Sequence, residues 1–171
     1  MTGALLDIAG LSVDYRGPRS VQALRDVALT VDAGEIVGVV GESGCGKSTL
    51  CAAVMRLLPP QATVTSGSIV FAGKNLLHLS GGQMRDVRGA EVAMIFQDPL
   101  TSLNPTFTIA DQMRYVLAAH GGRGVPRQEL RRRAVSMLAQ MGIPDADDRI
   151  DDLPHQFSGG MRQRVMIAMA L

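Results

Sequence analysis

The chain has 171 residues, 46% of them apolar and 19% charged. That is too apolar for a disordered tail and long enough for about one domain with a full core. Net charge is only +1, from 17 basic and 16 acidic residues, and there is no Trp. Neither the basic field nor the aromatic platforms of a dedicated nucleic-acid binder are present. The longest unbroken apolar run, Val165 to Leu171, is seven residues, against about 20 for a membrane span.

Cys45 and Cys51 are the only cysteines. Two residues six apart build neither a disulfide framework nor a zinc site, and free thiols fit a reducing cytosol. Met1 to Asp7 lacks the basic flank and apolar core of a signal peptide.

In chain order, Leu5–Tyr15 and Val21–Val31 partly alternate in polarity around Gly17-Pro18-Arg19-Ser20, which predicts an antiparallel pair of strands. Ile36-Val37-Gly38-Val39-Val40 is a continuous apolar run, the pattern of a strand covered on both faces. Lys47 to Leu58 predicts a helix stopped by Pro59-Pro60; Cys51 is expected on its buried side. Gly67–Phe71 and Glu91–Phe96 read as strands. The polar stretch between them carries at most a short helix from Gln83.

Thr108 to Met141 predicts helix, with Leu130, Ala134, Met137, Leu138 and Met141 on one face. Gly142 is a natural C-cap and Pro144 a stop. Arg131-Arg132-Arg133 is expected on a solvated surface. An acidic loop, Asp145 to Asp152, precedes Ser158-Gly159-Gly160, which opens a last helix running to Leu171. With no cap or closing turn after it, an incomplete domain is expected.

Gly41-Glu42-Ser43-Gly44-Cys45-Gly46-Lys47-Ser48-Thr49 matches G-x-x-x-x-G-K-[ST] in full. Glycines let successive N–H groups converge on an anion, and the positive end of the following helix points at the same place. Lys47 adds an ammonium for the β- and γ-phosphates, and Ser48 a hydroxyl for Mg²⁺. Cys45 stands at a free position of the motif, where a small tolerated side chain is expected.

Phe157-Ser158-Gly159-Gly160-Met161-Arg162-Gln163-Arg164, with Ser158 lying 117 residues after Gly41, resembles the L-S-G-G-Q signature of ABC-type ATPases, with Phe157 for Leu and Met161 for Gln. Leu79-Ser80-Gly81-Gly82-Gln83 spells that signature letter for letter. It precedes Gln97, however, whereas the family places its signature after the Q-loop and helical subdomain; a surface loop and helix cap is expected there. Ala93 to Pro99 looks like the Q-loop, with Gln97 at a strand end. Tyr15, 26 residues before Gly41, resembles the aromatic that stacks on adenine. Gln97 to Pro105 and Pro154 to Val165 resemble, more narrowly, the ATP-binding subunits of dipeptide, oligopeptide and nickel importers.

The resemblance implies an α/β P-loop NTPase fold: a RecA-like core with an antiparallel β-subdomain over about 1–98, and a helical subdomain over about 99–171. It implies ATP and Mg²⁺ as ligands. Tyr15, Gly41, Ser43, Gly44, Cys45, Gly46, Lys47, Ser48, Thr49, Ser158, Gly159, Gly160 and Met161 would hold nucleotide. Ser48 and Gln97 would face the metal, and Gln97 the attacking water. Implied partners are a second ATP-binding subunit, identical or paralogous, membrane permease subunits, and through these a substrate-binding protein; nucleic acid is not among them. The implied location is peripheral, at the cytoplasmic face of the membrane.

No apolar strand ending in Asp-Glu, no D-loop and no switch histidine is found, so the 171 residues are expected to bind nucleotide without turning it over. His155 is expected to pack rather than catalyse, and His78 and His120 carry no signal. Other readings are a soluble ABC ATPase without a permease, a small P-loop kinase, and a nucleotide-binding fragment without hydrolysis.

Overall fold

The computed structural model describes residues 4–97, 102–120 and 124–171. Two compact units divide the chain, Met1–Arg88 and Gly89–Leu171.

The first unit is built on a four-stranded antiparallel sheet in the order β2-β1-β3-β4. Its strands are β1 (Leu6–Tyr15), β2 (Val21–Val31), β3 (Ala62–Phe71) and β4 (Lys74–Asn75). The β1–β2 pair is antiparallel as its alternation predicts, running from Leu6 opposite Val31 to Tyr15 opposite Val21. Ile8, Leu11, Val13, Leu24 and Ile69 are buried. β3 begins at Ala62, five residues before the expected start, because Ala62 to Ser66 also pair with β1. That stretch is too polar to stand out by hydrophobicity, and its pairing with β1 is long-range.

Between β2 and β3 lies α1 (Lys47–Val54). It ends before the expected Leu58, because Arg56 turns to a positive φ of 50°. Arg88 donates to Met55 O and Arg56 O, both at 2.8 Å, satisfying carbonyls left open at the helix end. Cys51 is exposed, not buried; the inward face of α1 is Leu50, Ala53 and Val54.

Two expected strands do not form. Residues 36–40 join no sheet, with Ile36 98% and Val40 92% exposed. Residues 91–96 likewise make no strand, and Ile95 and Phe96 are half exposed. Both sequences are apolar enough for a doubly covered parallel strand, but such a strand needs ladder partners and covering layers. The described residues supply neither.

The second unit is helical. It contains α3 (Ile109–Ala119), α4 (Arg127–Gln140), α5 (Ala146–Arg149) and α6 (Gly159–Ala170); α2 (Gly81–Val87) belongs to the first unit. The stretch expected as one helix is thus two, separated by a segment containing Gly124 at φ 81° and Pro126. Leu130, Ala134 and Leu138 of the expected face are buried, and Met137 and Met141 pack at the edge of the same core. That core joins Ile109 and Met113 to Ile150, Phe157 and Val165. Inside the expected acidic loop, residues 146–149 form the single turn α5. Among the described residues no helix is long and apolar enough to cross a membrane.

Candidate functional site

The loop from Gly41 to Gly46 enters α1 at Lys47. Lys47 Nζ donates to Gly41 O and to Glu42 O, both at 2.7 Å, and lies 3.4 Å from Cys45 Sγ. The ammonium therefore closes the loop on itself. Gly44 and Gly46 have φ of 82° and 101°, a region costly for residues with a Cβ. Gly46 is constrained further: a Cβ there would stand 2.6 Å from Ala23 O and 2.8 Å from Leu24 Cδ2. The loop is thus pressed against β2.

No side chain caps α1, and its first turn holds no acid. Its N-terminal N–H groups and their positive dipole end are left for an external anion. Ser48 is exposed at the second position of α1 and Thr49 is half-buried. Thr49 Oγ1 lies 3.4 Å from the Tyr15 hydroxyl, which brings the end of β1 beside the phosphate loop. Ser43 and Cys45 are exposed along the same loop.

In the helical unit, Ser158 is the N-cap of α6. Its Oγ accepts from Met161 N at 3.3 Å, a cap worth about 1 kcal/mol. Gly159 and Gly160 are exposed, with no atom within 4 Å of where a Cβ would stand. Phe157, just before the turn, is buried in the helical core. Ser158, Gly159 and Gly160 thus form an open helix start on an anchored base. Gln97 is exposed in a bend of the same unit, and Pro99 lies outside the described residues. The glycine loop and the α6 turn belong to separate units, and each leaves N–H groups open at a helix start.

The exact signature copy has a different fate. Ser80 Oγ accepts from Gln83 N at 3.3 Å, and Gln83 Oε1 accepts from Ser80 N at 2.8 Å. The serine cap is the same as that at Ser158; what differs is that the Gln83 side chain is also taken up, on the Ser80 N–H. Arg56 donates to Leu79 O, tying the segment to the end of α1.

Sequence reasoning missed Gln112. It is buried in α3 and holds the loop after the Q-loop segment: its Nε2 donates to Asn104 O at 3.1 Å and Phe107 O at 3.0 Å, while its Oε1 accepts from Asn104 N at 2.9 Å. A buried polar residue in an apolar helix face was the available signal. Next to this loop the Phe107 and Tyr115 rings meet edge to face at 6.1 Å. The arginine run behaves as a surface. Arg132 and Arg133 grip Glu129 at 2.8 and 3.0 Å, and Arg131 reaches Asp151 at 2.7 Å. The hydrogen bond from Arg132, then that from Arg133, holds the Glu129 carboxyl down at about 2, from an ordinary 4.5.

A lysine-closed glycine loop on a helix start, with a serine-capped glycine turn in a helical unit, defines a P-loop nucleotide-binding protein of the cassette type. The sequence profile of the family described as "ABC transporter" matches residues 24–171, and the chain belongs to that family. It is 50% identical over 153 residues to the dipeptide transport ATP-binding protein DppD of Bacillus subtilis, covering 89% of this chain and 45% of that protein. To the oligopeptide transport ATP-binding protein OppD of the same organism it is 46% identical over 169 residues, covering 98% of this chain and 47% of that protein. The chain thus spans about half the length of these curated relatives. Among solved structures, the dimeric post-hydrolysis state of the ATP-binding cassette MJ0796 bound to ADP and Pi is similar with a TM-score of 0.83 at 26% identity, covering 97% of this chain and 68% of that one. The fold is that of a partial ABC nucleotide-binding domain.

Proposed function

We propose that this chain is the nucleotide-binding part of an ATP-binding subunit of a peptide importer. The observation that carries the reading is the loop from Gly41 to Gly46, closed by Lys47 on two carbonyls and opening into an uncapped helix. ATP phosphates sit on the N–H groups of this loop, with Lys47 at the β- and γ-phosphates and the Tyr15 ring at the base. The hydroxyl of Ser48, exposed beside the loop, is a hard donor of the kind Mg²⁺ takes; the neutral amide oxygen of Gln97, exposed in the other unit, is a donor of the same class. When bound, Mg²⁺ offsets phosphate charge.

Ser158, Gly159, Gly160 and Met161 serve the nucleotide of a second subunit, identical or paralogous. Their donors count only when ATP is bound, so ATP favours the closed pair and hydrolysis releases it. The names of the two transport relatives and the dimeric state of the MJ0796 cassette support this reading. The pair works at the cytoplasmic face of the membrane on permease subunits that receive cargo from a substrate-binding protein. We expect the functional division near residue 98, although the compact units part after Arg88.

The carboxylates that position Mg²⁺ and water in this family have no counterpart in the 171 residues. We therefore expect nucleotide binding without turnover from this polypeptide. A steady-state phosphate-release assay beside a nucleotide-binding titration tests this: binding with background phosphate release is expected. Sustained turnover would contradict the assignment of those carboxylates to another part of the subunit.

A further inference from the structure

The structure assigns Arg149 as the residue that positions the Ser158–Gly160 turn. The inference rests on the reading that this turn completes a partner's ATP site. Arg149 ends α5, and each part of its guanidinium is engaged around the turn. Nη2 donates to Gln156 O at 3.2 Å, on the near side. The guanidinium carbon stands 5.0 Å from the centroid of the Phe157 ring, stacked on it as a cation on a π face. Nη1 lies 3.8 Å from Met161 Sδ, on the far side. Nε reaches Asp152 Oδ2 at 3.5 Å, which fixes the plane of the fork.

The turn itself projects into open space. Its orientation is therefore set by what brackets it, and a planar, always-charged fork does this better than an ammonium. Phe157 and Met161 are also the two positions at which the chain departs from L-S-G-G-Q. Both departures touch the same guanidinium: an aromatic ring for it to stack on and a polarisable sulfur beside it. Arg149, Phe157 and Met161 form one unit, in which the two substitutions are matched to the arginine.

Two experiments test this, with different dependence on the functional reading. In the 171-residue chain, amide hydrogen exchange is compared between Met161, whose N–H is held by Ser158, and Ala134 and Leu138 of α4. Arg149→Met should speed exchange at Met161 about tenfold and leave the α4 amides within about twofold. In the whole ATP-binding subunit, R149M should lower kcat about tenfold, while affinity of the isolated subunit for nucleotide at the Lys47 loop stays within about twofold. Arg149→Lys should recover part of the activity, and in a Phe157→Leu background R149M should cost no more than about a further twofold.

Unchanged exchange and unchanged kcat overturn the inference. So does a parallel loss of nucleotide affinity, which would make Arg149 a general structural residue. R149K no better than R149M overturns it as well. If Lys47→Ala leaves nucleotide binding intact, the functional reading fails, while the exchange result still decides the role of Arg149.

Discussion

Replacing Gly46 by alanine perturbs the phosphate loop at its most constrained point. Its φ of 101° costs an L-residue about 1–2 kcal/mol. The new Cβ would meet Ala23 O at 2.6 Å and Leu24 Cδ2 at 2.8 Å. A side-chain tip can swing aside, but the main chain of β2 at Ala23 yields far less easily, so the loop must lift from β2; overpacking of this kind costs about 1–3 kcal/mol. The total is about 2–5 kcal/mol. Gly44 supplies the control: its φ is 82°, but nothing lies within 4 Å of its Cβ position. Gly44→Ala should cost only the backbone part, about 1–2 kcal/mol. The assay is urea unfolding of each variant without nucleotide, followed by circular dichroism, beside a titration with ATP. Gly46→Ala should unfold at distinctly lower urea than Gly44→Ala and lose ATP affinity at least about tenfold. Equal midpoints for the two variants would refute the close approach of the loop to β2.

Two further expectations concern the surface. The Glu129 carboxyl is depressed to about 2 by its hydrogen bonds from Arg132 and Arg133. Its contribution to α4 is therefore fully present above the ordinary 4.5 and drains away as pH falls through about 2; a side-chain NMR titration with a midpoint near 4.5 would contradict the pairing. Ile36 and Val40 are almost fully exposed, so the 171-residue chain should bind a hydrophobic dye and self-associate. Ile36→Lys with Val40→Lys should reduce both and shift folding stability by no more than about 0.5 kcal/mol, whereas a large loss of stability would mean that these side chains are covered.

The parts of the fold that the sequence exposed are those whose cause is local. Lys47 follows its glycines directly, Ser158 caps the helix beside it, and β1 and β2 are joined by a short turn. Where partners are distant, sequence pattern misled or fell silent. Ile36–Val40 has the composition of a parallel strand, yet composition cannot supply the neighbour that makes it one. The first half of β3 is polar and acquires strand character only through β1. The stretch expected as one helix stops at Ala119 and starts again at Arg127, just after Gly124 and Pro126. The Leu79–Gln83 segment has the right letters, but its glutamine side chain turns back to its own serine N–H. Arg149 sits in a stretch that reads as an acidic loop, and its role depends on Phe157 and Met161 being folded back against it.

The central claim is that Lys47 and the glycine loop hold the phosphates of ATP. Calorimetric titration of the chain with ATP and Mg²⁺, repeated on Lys47→Ala, tests it most directly. Loss of the charge-assisted bonds of one ammonium should weaken binding about tenfold to a hundredfold, with the unfolding midpoint little changed. The absence of ATP affinity in the unmodified chain, or equal affinity in the variant, would contradict the account.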